Sequence, residues 1–235
     1  MRLLITFEPI DKASYYDINK YDIQGFIYNL LRESDDFSEF HDIQGFKFFS
    51  FSNIFPVSDF ERNSLKKLII SSPNNEFLYA LQNVLGEKTD FRLNKYKMEL
   101  LKSKLLKDNF KPNFISATPI VLYEDNQSNK YYSFKQSPDF NFFFNRIKDN
   151  ALKKYNAFYG DEFELTGDLF TNFEFVREVS VRVKKNDNWF IIIGSLWKNL
   201  KFELNKDNKK FYKFLFNNGI GEKNSLGFGF LNSRG

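Results

Sequence analysis

One residue type in this chain is both rare and reactive. Among 235 residues there is a single histidine, His41, with Glu39 two positions before it and Asp42 immediately after. An imidazole titrates near neutral pH and can give or take a proton there, an effect worth typically ~10²–10⁴-fold in rate. Neighbouring carboxylates favour the imidazolium form. A lone histidine is equally well explained as a surface or satisfied core residue, so His41 needs company before it means chemistry. A second feature lies near the end of the chain, where GIGEKNSLGFGFL runs from Gly219 to Leu231. It holds four of the 11 glycines, Gly219, Gly221, Gly227 and Gly229, with Lys223 at its tip. Glycine reaches φ > 0 without strain and lets another backbone come close. Successive N–H groups in such a loop can point into one concavity and hold an anion. The GxxxxGK[ST] order of a P-loop is absent, and no helix follows as a dinucleotide site requires. A tight turn before an edge strand is the plainer explanation of the same glycines.

The elements that must position these residues follow from periodicity. Arg2 to Glu8 reads as a strand. A helix from about Asn19 to Arg32 carries an apolar stripe at Ile23, Phe26, Ile27, Leu30 and Leu31. Tyr28 falls on the flank of that stripe, about 100° past Ile27, with its hydroxyl free to face a cleft. Ser34 to His41 reads as a short helical turn with Phe37 and Phe40 facing inward. Strands follow at Lys47–Phe55 and Lys66–Ser71. A helix capped by Ser72 and Pro73 ends at Gly86, and two strands cover Lys88–Leu93 and Tyr96–Leu106. After a polar connection the pattern restarts. Phe114–Tyr123 reads as a strand extended by KYYSF, and Ser137 and Pro138 cap a long helix ending at Gly160. Strands are expected at Glu162–Leu165, Phe173–Lys184 and Trp189–Phe202. A helix over Lys206–Phe216 and a last strand over Phe228–Asn232 complete the chain. The fold class is α+β, with two tandem ferredoxin-like βαββαβ halves packed side by side, residues 1–110 and 111–235.

Composition narrows the function classes. The chain is 42% hydrophobic and 27% charged, with a net charge of +4 and a sequence pI near 8.9. This mildly basic balance permits a polyanionic partner without demanding one. The 31 phenylalanines accompany abundant Lys, Asn and Ile, so they are not read as a stacking surface on number alone. With no cysteine, disulfides and thiolate metal sites are excluded. No evident His/carboxylate cluster has metal-ligand spacing, so no cofactor is expected. No apolar run is long enough to span a bilayer and MRLLITFEP is not a signal peptide, which makes the cytoplasm the default location.

The glycine pattern is more specific as a whole than in its parts. GIGEKNSLGFGFL resembles the glycine-rich signature of the CRISPR-associated repeat-specific endoribonucleases, a branch of the RAMP superfamily. MRLLITFEP with YDIQGFIYNLL resembles that family's first strand and helix, and SATPIVLYED its mid-chain segment. The resemblance covers the whole chain. It implies two ferredoxin-like domains side by side, the first with the catalytic residues and the second with the glycine-rich loop. Active members carry a tyrosine late in the first helix, then a histidine, then a lysine six residues on. Tyr28, His41 and Lys47 match these positions.

The reaction that the resemblance implies needs few groups. RNA supplies its own nucleophile, the ribose 2′-OH. A base removes its proton, an acid protonates the departing 5′-oxygen, and a cation stabilises charge on phosphorus. His41 would serve as general acid and Lys47 as the cation, while Tyr28 would orient the 2′-OH or the phosphate or, with its high native pKa perturbed, act as the base. The products would be a 2′,3′-cyclic phosphate and a 5′-hydroxyl, with no metal. The implied substrate is precursor CRISPR RNA cut within each repeat. Its phosphates would meet Gly219, Gly221, Lys223, Asn224, Ser225, Gly227 and Gly229 of the loop. Further contacts are expected from Arg177, Arg182, Lys184, Lys185 and Lys198, several of them on a strand with basic residues toward its outer part. A protein that holds repeat RNA without cutting it is the alternative on the same scaffold. Effector-complex subunits remain open as partners, as does the choice between monomer and homodimer.

Overall fold

β1 (Arg2–Pro9) alternates in burial, with Leu3, Ile5 and Phe7 wholly enclosed. In the computed structural model, which describes residues 1–107, 110–125, 127, 130–185 and 188–234, this strand is the centre of the first antiparallel sheet. Its neighbours are β2 (Ser50–Phe51), β3 (Lys66–Ser71), β4 (Asp90–Leu93) and β5 (Tyr96–Leu106), in the order β2-β3-β1-β5-β4. α1 (Lys20–Arg32) and α2 (Asn75–Gly86) lay their apolar stripes on Leu3, Ile5 and Phe7 to make one core. The second sheet has the order β11-β6-β10-β9. Its strands are β6 (Asn113–Ser116), β9 (Asn172–Lys185), β10 (Asn188–Lys201) and β11 (Leu231–Ser233), covered by α3 (Phe140–Tyr159) and α4 (Lys209–Asn218) around Trp197 and a phenylalanine-rich core. Numbered within each half, both sheets run 4-1-3-2, the ferredoxin-like arrangement that the periodicity predicts. The first half adds β4 as an extra edge strand. The second inserts a hairpin, β7 (Tyr123–Asp125) and β8 (Lys130–Tyr131), after its first strand.

Several boundaries differ from the sequence reading, each for a local reason. The strand expected at Lys47–Phe55 pairs regularly only at Ser50–Phe51. A one-residue bulge then shifts the register from Phe51↔Ile70 to Phe55↔Lys67. The helix caps are Asn74 and Asp139, not Ser72 and Ser137. Asn74 accepts from the amides of Glu76 and Phe77, and Asp139 from that of Phe142 at 2.9 Å. Glu162–Leu165 forms no strand, because the Asn156 side chain satisfies both backbone groups of Phe163 at 3.0 Å. The strand expected at Phe114–Tyr123 stops at Ser116, and only single bridges at Ile120 and Val121 carry on toward the β7–β8 hairpin. α4 lies later than expected, and β11 starts at Leu231 because Phe228–Phe230 are folded against the segment before them.

That preceding segment is the glycine run, and it is packed between the two halves. Gly219, Gly221, Gly227 and Gly229 have φ of +82°, +71°, +75° and +65°. A Cβ at Gly229 would sit 1.9 Å from the Ile220 carbonyl, and one at Gly227 2.3 Å from the Phe51 ring. Close approach, rather than mobility, is what these glycines provide. Three buried cations fix the surroundings. Arg2 donates to the carbonyls of Phe216 (2.9 Å) and Leu231 (2.6 Å), with its guanidinium 3.6 Å from the Phe216 ring. Lys20 reaches the Gly227 carbonyl at 2.7 Å. Lys154 donates to the Gly221 carbonyl and to Asn224 Oδ1 at 2.8 Å.

Two measurements check this packing. Gly229→Ala combines a disfavoured backbone region with a backbone clash and should lower unfolding free energy by about 3 kcal/mol or more, read as a lower denaturant midpoint at unchanged slope. Lys20 offers a pH test. Burial against neutral oxygens lowers its pKa from 10.5 to about 7. The folded chain therefore binds fewer protons than the unfolded chain between about pH 7 and pH 10.5. Stability must rise with pH across that window. The free-energy difference between the wild type and Lys20→Met should shift in favour of the wild type from pH 7 to pH 10, and a flat difference would contradict the burial of a charge there.

Candidate active site

α1 meets the glycine segment along one stripe. Lys20, Gln24 and Tyr28 are spaced four residues apart and so lie above one another on the helix. Lys20 holds the Gly227 carbonyl at 2.7 Å. Gln24 Nε2 donates to the Ser225 carbonyl at 2.9 Å. Tyr28 is half-buried, and burial raises its phenol pKa while a hydrogen bond with the Ser225 side chain opposes the rise. The phenol therefore stays protonated at neutral pH and can donate. Lys20 and Gln24 were not singled out in the sequence. Their four-residue spacing with Tyr28 beside the apolar stripe was the available signal.

His41 sits at the end of a run of single turns. The amides of Phe37, Phe40 and Asp42 donate to Ser34, Phe37 and Glu39 carbonyls respectively. Phe37 and Phe40 anchor this run on Phe77, with ring centroids 5.9 and 5.2 Å away. The expected helical turn with inward phenylalanines is thus present. Beyond the anchors His41 is exposed, and its ring stands edge-on to Tyr28 with centroids 5.1 Å apart and planes at 86°. Nδ1 lies 2.8 Å from Asp42 Oδ1, so Asp42, not Glu39, is the carboxylate on the imidazole. The hydrogen bond from His41 is the main reason the Asp42 carboxyl lies below its ordinary pKa. Nε2 is left for a partner from outside.

Lys47 takes a different posture from a cation aimed at a reacting group. Its ammonium donates to the carbonyls of Phe40 (2.6 Å), His41 (3.1 Å) and Ile43. It also lies 5.1 Å over the Phe40 ring. Burial lowers its pKa and Asp42 opposes the drop. In this arrangement Lys47 holds the turn that carries His41.

The structure separates the basic residues into groups. Lys223 is half-buried, its ammonium 5.4 and 5.8 Å from the Tyr123 and Tyr131 rings. Burial works against its charge, yet hydrogen bonding to the Tyr123 and Tyr131 hydroxyls wins and raises its pKa. Arg182 stacks 4.2 Å over Trp189, with Lys184 5.9 Å from the same ring, and Lys185 lies 5.7 Å from Tyr21 in α1. Arg177 is exposed further along β9. Lys198 stands apart at the other end of the β9–β10 ladder, tied to Glu174 at 3.3 Å. Of the glycine segment's amides, most donate inside the protein, those of Glu222 to Val121 (2.7 Å) and Gly229 to Pro119 (2.8 Å) among them. Those of Gly221, Lys223, Asn224 and Ser225 have no acceptor among the described residues, and the last three lie together in one turn. The anion-holding concavity expected of the whole segment is therefore reduced to that turn. Among the described residues no group of three or more His, Asp or Glu side chains could hold a metal ion, and no helix is long and apolar enough to cross a membrane.

The chain is similar to known proteins over its whole length. Residues 101–233 match the family model described as CRISPR associated protein Cas6, C-terminal. The chain is 43% identical to a protein of Methanocaldococcus jannaschii named CRISPR-associated endoribonuclease Cas6 2, over 99% of both chains. It is 28% identical to the CRISPR-associated endoribonuclease Cas6 of Pyrococcus furiosus, over 100% of this chain and 90% of that one. A solved structure described as CRISPR associated protein Cas6 superposes with a TM-score of 0.74 at 26% identity, over 100% of this chain and 99% of the other.

The posture of Lys47 has a direct test. Lys47→Ala frees three carbonyls of an exposed turn while leaving both cores intact. Amide hydrogen exchange of residues 40–44 should speed up by at least tenfold, as for a local opening about 1.4 kcal/mol easier, with the global unfolding midpoint nearly unchanged.

Proposed function

Because the chain belongs to the Cas6 family of CRISPR-associated proteins, we propose that it is a metal-independent endoribonuclease that cuts precursor CRISPR RNA within each repeat. The observation that carries this reading is the edge-on pair of Tyr28 and His41 beside Ser225 of the glycine segment. A proton donor and a titrating imidazole from the first half thereby meet the phosphate-binding turn of the second. The division of labour between residues 1–110 and 111–235 follows from that meeting.

The ribose 2′-OH gives up its proton to solvent as its oxygen attacks the adjoining phosphorus, the bond from phosphorus to the 5′-oxygen breaks, and a 2′,3′-cyclic phosphate and a 5′-hydroxyl result. His41 Nε2 protonates the leaving oxygen. Asp42 on Nδ1 orients the ring so that Nε2 faces the leaving oxygen. Tyr28 donates to the 2′-OH or to a phosphate oxygen. Lys47 adds positive charge beside the developing dianion, an electrostatic effect that does not require it to release every carbonyl. The amides of Lys223, Asn224 and Ser225, with the Lys223 ammonium, receive a phosphate. Arg182, Lys184 and Lys185 continue the basic track beside Trp189, and Arg177 extends it along β9. Lys198 contributes least, because Glu174 already neutralises it.

A second reading has one observation in its favour. The three protons of Lys47 already face protein carbonyls, as they would in a scaffold that only holds repeat RNA. The two readings part in one assay. Cognate repeat RNA incubated with the protein in EDTA should be cut at a single linkage per repeat, and His41→Ala should slow cutting by at least ~10²-fold while RNA binding persists. Cutting at the same linkage by His41→Ala at close to the wild-type rate overturns the assignment of the acid. Binding without cutting by the wild type favours the holder.

A further inference from the structure

A cavity of about 140 Å³ lies between residues 45–48 and the glycine segment, bordered by Lys47 and the Lys223–Ser225 turn, and the chemistry above leaves its Phe46, Lys154 and Glu222 walls unused. Lys47 and Ser225 border it on the side of the Tyr28–His41 pair. Its other functional walls are Phe46, Lys154, Glu222 and Asn224. Its volume is roughly five times the ~30 Å³ share of one water, enough for the edge of a planar ring. The Phe46 ring is 42% exposed, an unusual posture in a chain that buries most of its phenylalanines. Lys154 is 5% exposed, and its ammonium lies 5.7 Å from the Phe46 ring. Lys154 uses two of its three protons on the Gly221 carbonyl and Asn224 Oδ1. Burial brings its pKa down to about 8 with Glu222 opposing, so it is an ammonium at neutral pH. Glu222 accepts from Asn150 Nδ2 at 2.7 Å, which fixes the carboxylate and leaves most of its lone pairs open.

A planar slot with an exposed aromatic at its rim, a fixed carboxylate and a buried ammonium has the chemistry of a base-recognition site. We propose that this cavity receives the base of an unpaired guanosine next to the linkage that is cut. Guanine presents two adjacent donors, N1–H and the N2 amine, and one acceptor, O6, along a single edge. One carboxylate accepts from both donors while one ammonium donates to O6. Adenine and cytosine each offer a single amine donor on that edge, and uracil a single ring N–H. Phe46 supplies a face on which the base stacks. The inference rests on the reading of the chain as a repeat-RNA nuclease and deepens it: His41 cuts, and Glu222 with Lys154 selects which linkage is presented.

The test uses repeat RNA with each of the four bases, and inosine, at both nucleotides flanking the cleaved linkage, under single-turnover conditions. At one of the two positions the wild type should cut the guanosine version faster than the others by on the order of tenfold to a hundredfold. Inosine, which lacks the N2 amine, should fall between. Glu222→Gln should erase most of that preference. Phe46→Ala, at an exposed position that does not threaten folding, should slow every version at that position and keep the ranking. A wild type indifferent to the base at both positions overturns the subsite and leaves the nuclease reading standing, as does a full guanosine preference retained by Glu222→Gln. A wild type that cuts none of the RNAs removes both.

Discussion

The structure depends on putting a polar, glycine-rich backbone where side chains would normally be. Between α4 and β11 the chain passes through the seam of the two sheets. Its carbonyls would go unsolvated there without donors, at a cost of roughly 1–3 kcal/mol each. Cations reach in from both sides. Lys20 comes from the start of α1 and Lys154 from the middle of α3. Arg2, from the first strand, secures the C-terminal end of α4 and the start of β11. Each is taken out of water, and for the two lysines this shows as lowered pKa values. Such groups persist only where geometry over-determines them, and here the geometry is the absence of four Cβ atoms. Phe51 lies over Gly227 across the seam, and Lys20 crosses it to the Gly227 carbonyl, so the two halves cannot slide without breaking both contacts.

That seam also determines where the chemistry can be. α1 belongs to the first core through Ile23, Phe26, Ile27 and Leu30, while its next face runs along the glycine segment through Lys20, Gln24 and Tyr28. One helix therefore transmits the register of the first sheet to the turn at Lys223–Ser225, and Tyr28 stands where that turn leaves its amides open. The buried ammonium groups add a second effect. Charges in a low-dielectric seam are screened less than those on the surface. A chain of net charge +4 can thus present a local positive potential to an anion that its overall composition does not announce.

Much of this was legible in the sequence, and the limits have physical causes. The two βαββαβ halves, the apolar stripe of α1, the anchoring of the His41 turn by Phe37 and Phe40, and the positive φ of the glycines are local patterns, and local patterns survive folding. The caps at Asn74 and Asp139 were missed because Ser-Pro offers an equally good start two residues earlier, and tertiary contacts decided. Tyr132, whose hydroxyl accepts from the Asp139 amide at 2.9 Å, is one such contact. The burial of the glycine segment was not legible, since its lid is Phe51 and its floor Val121, both far upstream in the chain. Nothing in the sequence singles out Lys20 or Lys154 for the same reason. Charge pattern alone grouped Lys198 with Arg182 and Lys184, although the hairpin register carries it to the opposite end beside Glu174.

The two sides of the site differ in how firmly they are held, and the difference suits a cutting enzyme. The Ser225 side is fixed by Gln24, Lys154 and the glycine packing, so a phosphate placed there has little freedom. The His41 side is an exposed turn held by two phenylalanine anchors and by the ammonium of Lys47. In the proposed reaction only the imidazole of that turn would need to follow the leaving oxygen, with Asp42 beside it on Nδ1. Rigid binding with a tethered acid would keep the ordering cost on the substrate low. In the same proposal Lys47 would serve twice: its charge would stand near phosphorus, and its hydrogen bonds to the backbone of Phe40 and His41 hold the turn. Lysine in the role of a cation and lysine in the role of a strap are then one requirement, since a turn allowed to open would take the imidazole and the charge away together.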